Sequence, residues 1–242
     1  MAGSVGPVAG REPHPGHRSV SGGKARAAVF GVNDGLVSNI SLVLGFAATG
    51  VDNSVVQLAG IAGAVAGGIS MAAGEWVSVS AQNDLIEREL EVERREHVNN
   101  PEHETEELAE LYAEQGMELE HAQEAAAAVM RTPEVALTVH ARHELGIDPD
   151  ELPSPYWAGG LSLVCFLFGA LVPIVPFFIG SGTAAIMTAL AIGVTMAAVV
   201  GALVGKFAER SLPRSVLRQV GIVLAACTIT YVIGQVVGVN LD

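Results

Sequence analysis

The sequence predicts an all-α integral membrane protein with five transmembrane helices and a helical, acidic insert between the second and the third. Three observations indicate this fold. The 242 residues are 50% hydrophobic but only 5% aromatic, and 28 of them are glycine, a composition typical of closely packed membrane helices. Five apolar segments are long enough to cross a bilayer at about 1.5 Å per residue. A strongly acidic segment separates the second of them from the third.

The N-terminal third is predicted to hold a tail and two membrane helices. Residues 1–23 are rich in Gly, Pro, Ser and His, and we expect a disordered tail there. Residues 24–82 contain two apolar segments joined by a short turn at Asp52, so the two helices run antiparallel. Because no helix breaker follows the second apolar segment, we expect that helix to leave the membrane and continue to about His97.

Both apolar segments contain side chains that are unfavourable in the hydrocarbon core of a membrane. Asp34 lies in the first half of one helix and Met71 in the second half of the other, so an antiparallel pair places them at matching depths. Glu75 follows Met71 by four residues and therefore shares its helix face. A charged side chain costs at least about 2.5–3.5 kcal/mol at the centre of a membrane and by default marks an ion pathway. A pair of structural polar residues, satisfied within a helix bundle, is the alternative.

Residues 83–152 are predicted to form a separate acidic domain. Residues 84–151 contain 20 of the 26 acidic residues and five basic ones, a net charge of −15, which leaves +2 on the rest of the chain. This balance argues against nucleic-acid binding. Asn100–Pro101, Gly116 and Thr132–Pro133 break the helical pattern and predict three short helices, at 101–115, 118–130 and 133–146.

The acidic domain repeats carboxylates at helical spacings of three and four. Clustered carboxylates suit a hard divalent cation, and an added imidazole shifts the preference toward Fe, Mn or Zn. The alternative is that these glutamates only form solvated helix surfaces. The pairs with this spacing are Glu93 and Glu96, Glu104 and Glu107, and His140 and Glu144.

Residues 153–242 are predicted to form the last three membrane helices. They lie at 156–179, 183–205 and 216–239, with Pro173 and Pro176 kinking the first and a basic loop at 206–218 before the last. All 13 Lys and Arg residues fall in the N-terminal region, the acidic domain or that loop. The positive-inside rule therefore predicts a cytoplasmic N-terminus and acidic domain and a C-terminus outside.

Three motifs together resemble the vacuolar iron transporter family: VFGVNDGLVSN from residue 29, ISMAAGEWVSVSAQNDL from residue 69, and ELAELYAEQGM from residue 107. The similarity covers roughly residues 24–238. It implies five transmembrane helices, a cytoplasmic metal-binding domain between helices two and three, and a homodimer with the pathway at its interface. It also implies a transporter rather than an enzyme, one that exports Fe²⁺, and often Mn²⁺, from the cytosol in exchange for H⁺.

The resemblance assigns candidate metal ligands by position. The pathway residues are Asp34 and Met71, with Glu75 nearby, and the thioether disfavours Na⁺, Mg²⁺ and Ca²⁺. Where plant members of the family have a methionine, this chain has His140, so an imidazole replaces a soft sulfur ligand. The metal-binding domain could therefore bind Zn²⁺ as well as Fe²⁺ and Mn²⁺. Two Asp34 side chains across a dimer axis would repel each other, so that protons and metal compete. The domain's carboxylate ligands are Glu93, Glu96, Glu104, Glu107 and Glu144.

Two other functions stay open at this stage. A membrane-anchored metal sensor would need no intramembrane ligands, so Asp34 and Met71 argue against it. A ferritin-like iron store or oxidase needs two Glu-x-x-His motifs, and only Glu118–His121 fits. The Ala, Gly and Val richness and the absence of a targeting pattern favour a prokaryotic plasma membrane; a eukaryotic member would lie in the vacuolar membrane.

Overall fold

The computed structural model describes residues 23–144, 146–149 and 152–238, and within them it contains nine α-helices and no strand. The predicted N-terminal tail lies outside the described residues, apart from Gly23. Five helical stretches are long and apolar enough to cross a membrane, as predicted. The helices are α1 (Gly23–Ala48), α2 (Asn53–Asn99), α3 (Pro101–Glu114), α4 (Leu119–Val129), α5 (Pro133–His143), α6 (Pro155–Leu171), α7 (Val175–Ile179), α8 (Gly182–Phe207) and α9 (Leu212–Gly238).

Helix α2 is one uninterrupted helix of 47 residues, which confirms the prediction of a projecting helix. At about 1.5 Å per residue it is about 70 Å long, more than twice the thickness of a hydrocarbon core. Its C-terminal half therefore extends beyond any membrane that its apolar half crosses. Pro101 then occupies the first turn of α3, where its missing N–H costs nothing.

The prolines interrupt the third membrane segment as predicted. A 3-10 turn at Val172–Ile174 separates α6 from α7, and Pro173 and Pro176 both lie in this stretch. Helix α7 ends at Ile179, so the carbonyl group of Phe177 in its last turn has no partner within the helix. Asn53 and Gln57 of α2 compensate, because their side-chain amides donate to the Phe177 carbonyl over 2.5 and 2.7 Å.

The prediction of a basic loop at 206–218 is wrong. Helix α8 continues to Phe207 and α9 already begins at Leu212, so the connection is a tight turn of four residues. Pro213 does not prevent α9 from beginning four residues before the predicted start at 216. In the structure it lies in the first turn of α9, which tolerates proline. Lys206, Arg214 and Arg218 are consequently helical residues.

Close approach of the membrane helices depends on glycine. Gly35 of α1 lies against the Phe166 carbonyl of α6, and Gly169 of α6 lies against the Val32 carbonyl of α1, so that a Cβ at either glycine would overlap backbone. Phe166 also fills the space beside Gly67 of α2. Small residues at such crossings let apolar helices pack backbone to backbone.

The acidic domain is a small helical unit that packs on the projecting part of α2. Its apolar core consists mainly of alanine, so the short helices approach one another closely, and Leu90 of α2 is also buried. The core residues of α3 and α4 are Leu108, Ala109, Ala122 and Ala126, with Val139 of α5 packed against them.

Candidate metal centre

Four side chains from three helices meet where α3 and α5 pack on the projecting part of α2. Glu93 and His97 come from α2, Glu104 from α3 and His140 from α5. One potential ligand atom from each lies within 4.8 Å of all the others. This is the only group of three or more His, Cys, Asp or Glu side chains with that geometry among the described residues.

The local sequence explains why these side chains converge. Glu93 and His97 are four residues apart and therefore lie one above the other on one face of α2. Glu104 is in the first turn of α3, directly after the Pro101 turn, so the chain reversal brings it back beside α2. His140 projects from α5, whose neighbouring buried positions are the small residues Ala136 and Ala141.

The distances are those of a compact site centred on Glu93. Its Oε1 atom lies 2.9 Å from Nδ1 of His140 and 3.1 Å from Nε2 of His97. Glu104 closes the other side, with Oε2 at 3.5 Å from the His140 nitrogen and 3.9 Å from the His97 nitrogen. Two carboxylates and two imidazoles thus point into one small volume.

The centre is buried, and four of its polar atoms have no partner in hydrogen-bond geometry. The His140 side chain is 0% exposed and those of Glu104 and His97 are 6% and 9% exposed. Both ring nitrogens of His140, Nε2 of His97 and Oε1 of Glu93 are buried, and although three of these atoms approach another within 2.9–3.1 Å, none has a partner in hydrogen-bond geometry. Each such group costs about 1–3 kcal/mol when left unpaired. A divalent cation bound here would satisfy them, so the donor set fits a metal ion.

The electrostatics of the metal-free centre favour a proton on Glu104. Burial, followed by the charge of Glu93, raises the pKa of Glu104 from 4.5 to about 7, while His140 acts in the opposite direction. The exposed Glu107 adds to the rise through its charge. A cation would reverse this balance by stabilising the ionised carboxylate, so binding of metal releases protons.

The other carboxylates predicted in this domain lie around the centre rather than in it. Glu144 is at its edge, with Oε1 3.2 Å from Nδ1 of His140. Glu96 instead accepts a hydrogen bond of 2.6 Å from the side chain of Asn100. Glu107 is exposed. The Glu118–His121 pair is exposed and on another helix, so the Glu-x-x-His motif contributes nothing to the centre.

His97 is the one residue of the group that the sequence analysis did not single out. The available signal was its spacing of four from Glu93, which puts it on the same helix face.

The membrane residues Asp34, Met71 and Glu75 do not form a comparable cluster in the described chain. Asp34 is exposed on α1, and Met71 packs against Phe166 and Ala170. Phe166 lies beside both Gly35 and Gly67, which supports similar depths for Asp34 and Met71. Glu75 is half-buried and directly precedes Trp76, whose ring packs on Tyr156 at 6.2 Å. Trp and Tyr are enriched at membrane–water interfaces, so this ring pair is consistent with a position of Glu75 near an interface.

Comparison with known proteins places the chain in one family. The family model described as "VIT family" matches residues 25–235. A vacuolar iron transporter of Acanthamoeba castellanii is 38% identical over 195 residues, covering 76% of this chain and 71% of the relative. A vacuolar iron transporter of Toxoplasma gondii is 30% identical over 240 residues, covering 93% of this chain and 79% of the relative. Vacuolar iron transporter 1 of Oryza sativa is 29% identical over 197 residues, covering 80% of this chain and 77% of the relative.

The names of these relatives describe transporters and not enzymes. With five potential membrane-spanning helices and a match over most of its length, the chain is a multi-pass membrane protein that belongs to the VIT family.

Proposed function

We propose that this protein carries divalent metal, Fe²⁺ first and Mn²⁺ as a second substrate, out of the cytosol in exchange for protons. The observation that carries the proposal is the buried Glu93–His97–Glu104–His140 centre. Two of its members, Glu93 and His97, lie on the same continuous helix as Met71 and Glu75. The similarity to vacuolar iron transporters supports iron as the substrate.

The domain at 83–152 serves as the metal-capture part of the transporter. Its net charge of −15 attracts cations, and its centre offers two imidazole and two carboxylate ligands. Imidazole favours Fe²⁺, Mn²⁺ and Zn²⁺ over Mg²⁺ and Ca²⁺. Glu96, Glu107 and Glu144 surround the centre and act as a carboxylate shell through which ions arrive.

The shape of α2 suggests how captured metal reaches the membrane. Glu75 and Glu93 are 18 residues apart on one helix, which is five turns at 3.6 residues per turn, so both lie on the same face. Met71, one turn further into the membrane, continues that face. We assign Glu75 to the cytoplasmic entrance of the pathway, and we assign Met71 and Asp34, which lie at similar depths, as its ligands within the membrane.

A second copy of the chain completes the pathway in this proposal. The exposed Asp34 carboxylate lies in the membrane-spanning part of α1, a position that favours a partner for the charge. Two Asp34 residues facing each other across a homodimer axis would share protons when no metal is present. Metal binding would displace those protons and protonation would release the metal, which is a physical route to antiport.

The distribution of charge supports the orientation. The basic residues of the described chain lie on one side of the membrane helices. They are in the acidic domain, at the start of α1 (Lys24 and Arg26), and at the connected ends of α8 and α9 (Lys206, Arg210, Arg214 and Arg218). The positive-inside rule places this side in the cytoplasm and the Asp52 turn outside.

Transport in proteoliposomes tests the function. The purified protein would be reconstituted with an internal metal-quenched dye and an internal pH dye, and Fe²⁺ added outside under reducing conditions, with and without a proton gradient. We expect metal entry coupled to proton movement, loss of both in Asp34→Asn, and retention of both in the control Asp52→Asn. Normal flux in Asp34→Asn would contradict the assignment of Asp34.

The same experiment separates the transporter from a sensor. A membrane-anchored sensor or store would bind metal tightly through the centre and show no flux in any variant. Repeating the flux measurement with Mn²⁺ ranks the substrates, and a response to Fe²⁺ without a pH change inside the vesicle would remove proton coupling from the proposal.

A further inference from the structure

A buried glutamine on α9 faces the helix that carries Asp34. Gln219 is only 8% exposed, although its helix is predominantly apolar. Burying an amide without a hydrogen bond is costly, especially in a membrane. Gln219 has its partner in α1, because its Nε2 atom donates a hydrogen bond to Oδ1 of Asn33.

Asn33 connects this glutamine to the neighbouring carboxylate. Its side chain also interacts with that of Asp34, the next residue along the helix. An asparagine side chain has one acceptor oxygen and one donor nitrogen. Because Gln219 occupies the oxygen, the NH₂ group is the part of Asn33 left for Asp34, and a donor is the group that an ionised carboxylate accepts.

A third helix holds Gln219 in place. Gly201 of α8 lies so close to α9 that a Cβ there would be 3.1 Å from Cβ of Gln219 and 2.9 Å from the Ser215 carbonyl oxygen. Little room is left for the start of the Gln219 side chain to move. Packing of α8 on α9 therefore sets the position of the amide that orients Asn33.

We propose that Gln219 is a positioning residue of the transport pathway, which fixes the Asp34 carboxylate through the amide of Asn33. This inference rests on the proposed function of Asp34 as the membrane ligand. When Asp34 gives up its proton, the two amides hold the ionised carboxylate in one orientation, and the arriving metal meets an ordered ligand. Without Gln219, the Asn33 amide is free to turn its oxygen toward Asp34, and the ligand loses its orientation.

Two substitutions change this arrangement in different ways. Gln219→Met removes the donor with little change in side-chain volume. Gln219→Glu keeps the shape but offers only acceptors, so the Asn33 NH₂ group turns toward residue 219 and its oxygen toward Asp34. Gln235→Met is the matched control, because Gln235 is an exposed glutamine on the same helix whose hydrogen bond goes to Tyr231 of α9 itself.

The measurement is the concentration dependence of Mn²⁺ flux in proteoliposomes, together with Mn²⁺ binding to the detergent-solubilised full chain. We expect Gln219→Met and Gln219→Glu to raise the KM for Mn²⁺ at least about threefold, with the effect of Glu larger, and Gln235→Met to leave it unchanged. Binding at the Glu93–His140 centre should stay at the wild-type level, which a general loss of folding would not allow. Wild-type KM values in both Gln219 variants would overturn the inference.

A double-mutant cycle keeps the test decisive if Gln219→Met folds poorly. Asn33→Leu should raise KM by the same route, so combining it with Gln219→Glu should add little to the effect of Asn33→Leu alone. Additive effects would show that Gln219 does not act through Asn33 and would overturn the proposal. Asp34→Asn distinguishes this failure from failure of the proposed function. Normal flux in Asp34→Asn rejects the proposed function of Asp34. If Asp34→Asn loses flux but both Gln219 variants keep a normal KM, only the positioning role of Gln219 is rejected.

Discussion

The imidazole rings of His97 and His140 meet edge to face, with centroids 4.6 Å apart and planes at 78°. The same oxygen of Glu93 approaches one nitrogen of each ring, at 3.1 and 2.9 Å. Two imidazoles that share a carboxylate in a buried space are more typical of a metal site than of a packed core. The relationship joins α2 to α5, so occupancy of the centre should hold these helices together.

Removal of either imidazole should weaken metal binding. We expect His97→Ala and His140→Ala each to lower the affinity of the full chain for Zn²⁺ by at least about tenfold, because loss of even an outer-shell partner of a ligand costs about 10–100-fold. His121→Ala is the control, because His121 is exposed on α4, away from the centre. Competition with a chromophoric chelator measures the affinities. Equal affinities in wild type and both centre variants would show that the histidines are not ligands.

Metal affinity should rise with pH up to about 7 and then level off. The pKa of Glu104 is about 7 in the metal-free protein because the carboxyl group is buried next to Glu93. Below this pH a proton must leave before metal binds, so affinity falls by up to about tenfold per pH unit. Glu104→Gln should flatten this dependence and also lower affinity, whereas the exposed Glu110→Gln should do neither. Chelator competition between pH 5.5 and 8 provides the measurement.

The metal-free domain should become less stable as pH rises. A carboxyl group whose folded pKa exceeds its ordinary value of 4.5 stabilises the fold fully below pH 4.5, and this contribution is lost as pH increases through about 7. Added Zn²⁺ should reverse the loss, by about 2.7 kcal/mol at a free concentration of 100 times Kd. Thermal unfolding followed by circular dichroism at pH 6 and pH 8, with and without Zn²⁺, tests both statements. A Zn²⁺-independent Tm would contradict them.

The crossing of α1 and α6 should not tolerate a methyl group. Gly35→Ala would drive a Cβ into the Phe166 carbonyl, and overpacking of this kind costs about 1–3 kcal/mol. Gly221→Ala is the matched control in α9, because nothing lies within 4 Å of its Cβ position and alanine favours a helix. We expect a lower Tm in detergent for Gly35→Ala alone. A similar Tm for both variants would show that α1 and α6 are further apart than the structure has them.

The proposed orientation predicts opposite labelling of two cysteine substitutions. In a background with Cys165 and Cys227 replaced by serine, Glu124→Cys on α4 should react with a membrane-impermeant maleimide only after the cells are opened. Asp52→Cys, in the turn between α1 and α2, should react in intact cells. The reverse pattern would place the acidic domain outside and contradict the direction of transport.

The sequence by itself determined the membrane helices, the single long α2 and the break at Pro173 and Pro176, because these depend on local properties. Hydrophobic length, the absence of a breaker after Glu75 and the missing proline N–H are all visible in the chain. The turn before α9 was mispredicted for a related reason: Pro213 is compatible with a loop or with a first helical turn, and the local sequence does not distinguish them.

Only the tertiary structure decided which polar residues act together. Many glutamates in the acidic domain share the same spacing, and the packing of α3 and α5 on α2 selects Glu93 and Glu104 while leaving Glu107 exposed. It also brings in His97, and it joins Gln219 to Asn33 across 186 positions of sequence. Helical periodicity in the sequence predicts on which face of a helix a residue lies. The neighbour of that face depends on how the helices cross, and the crossing follows from glycine contacts such as Gly35 with Phe166, which no local pattern specifies.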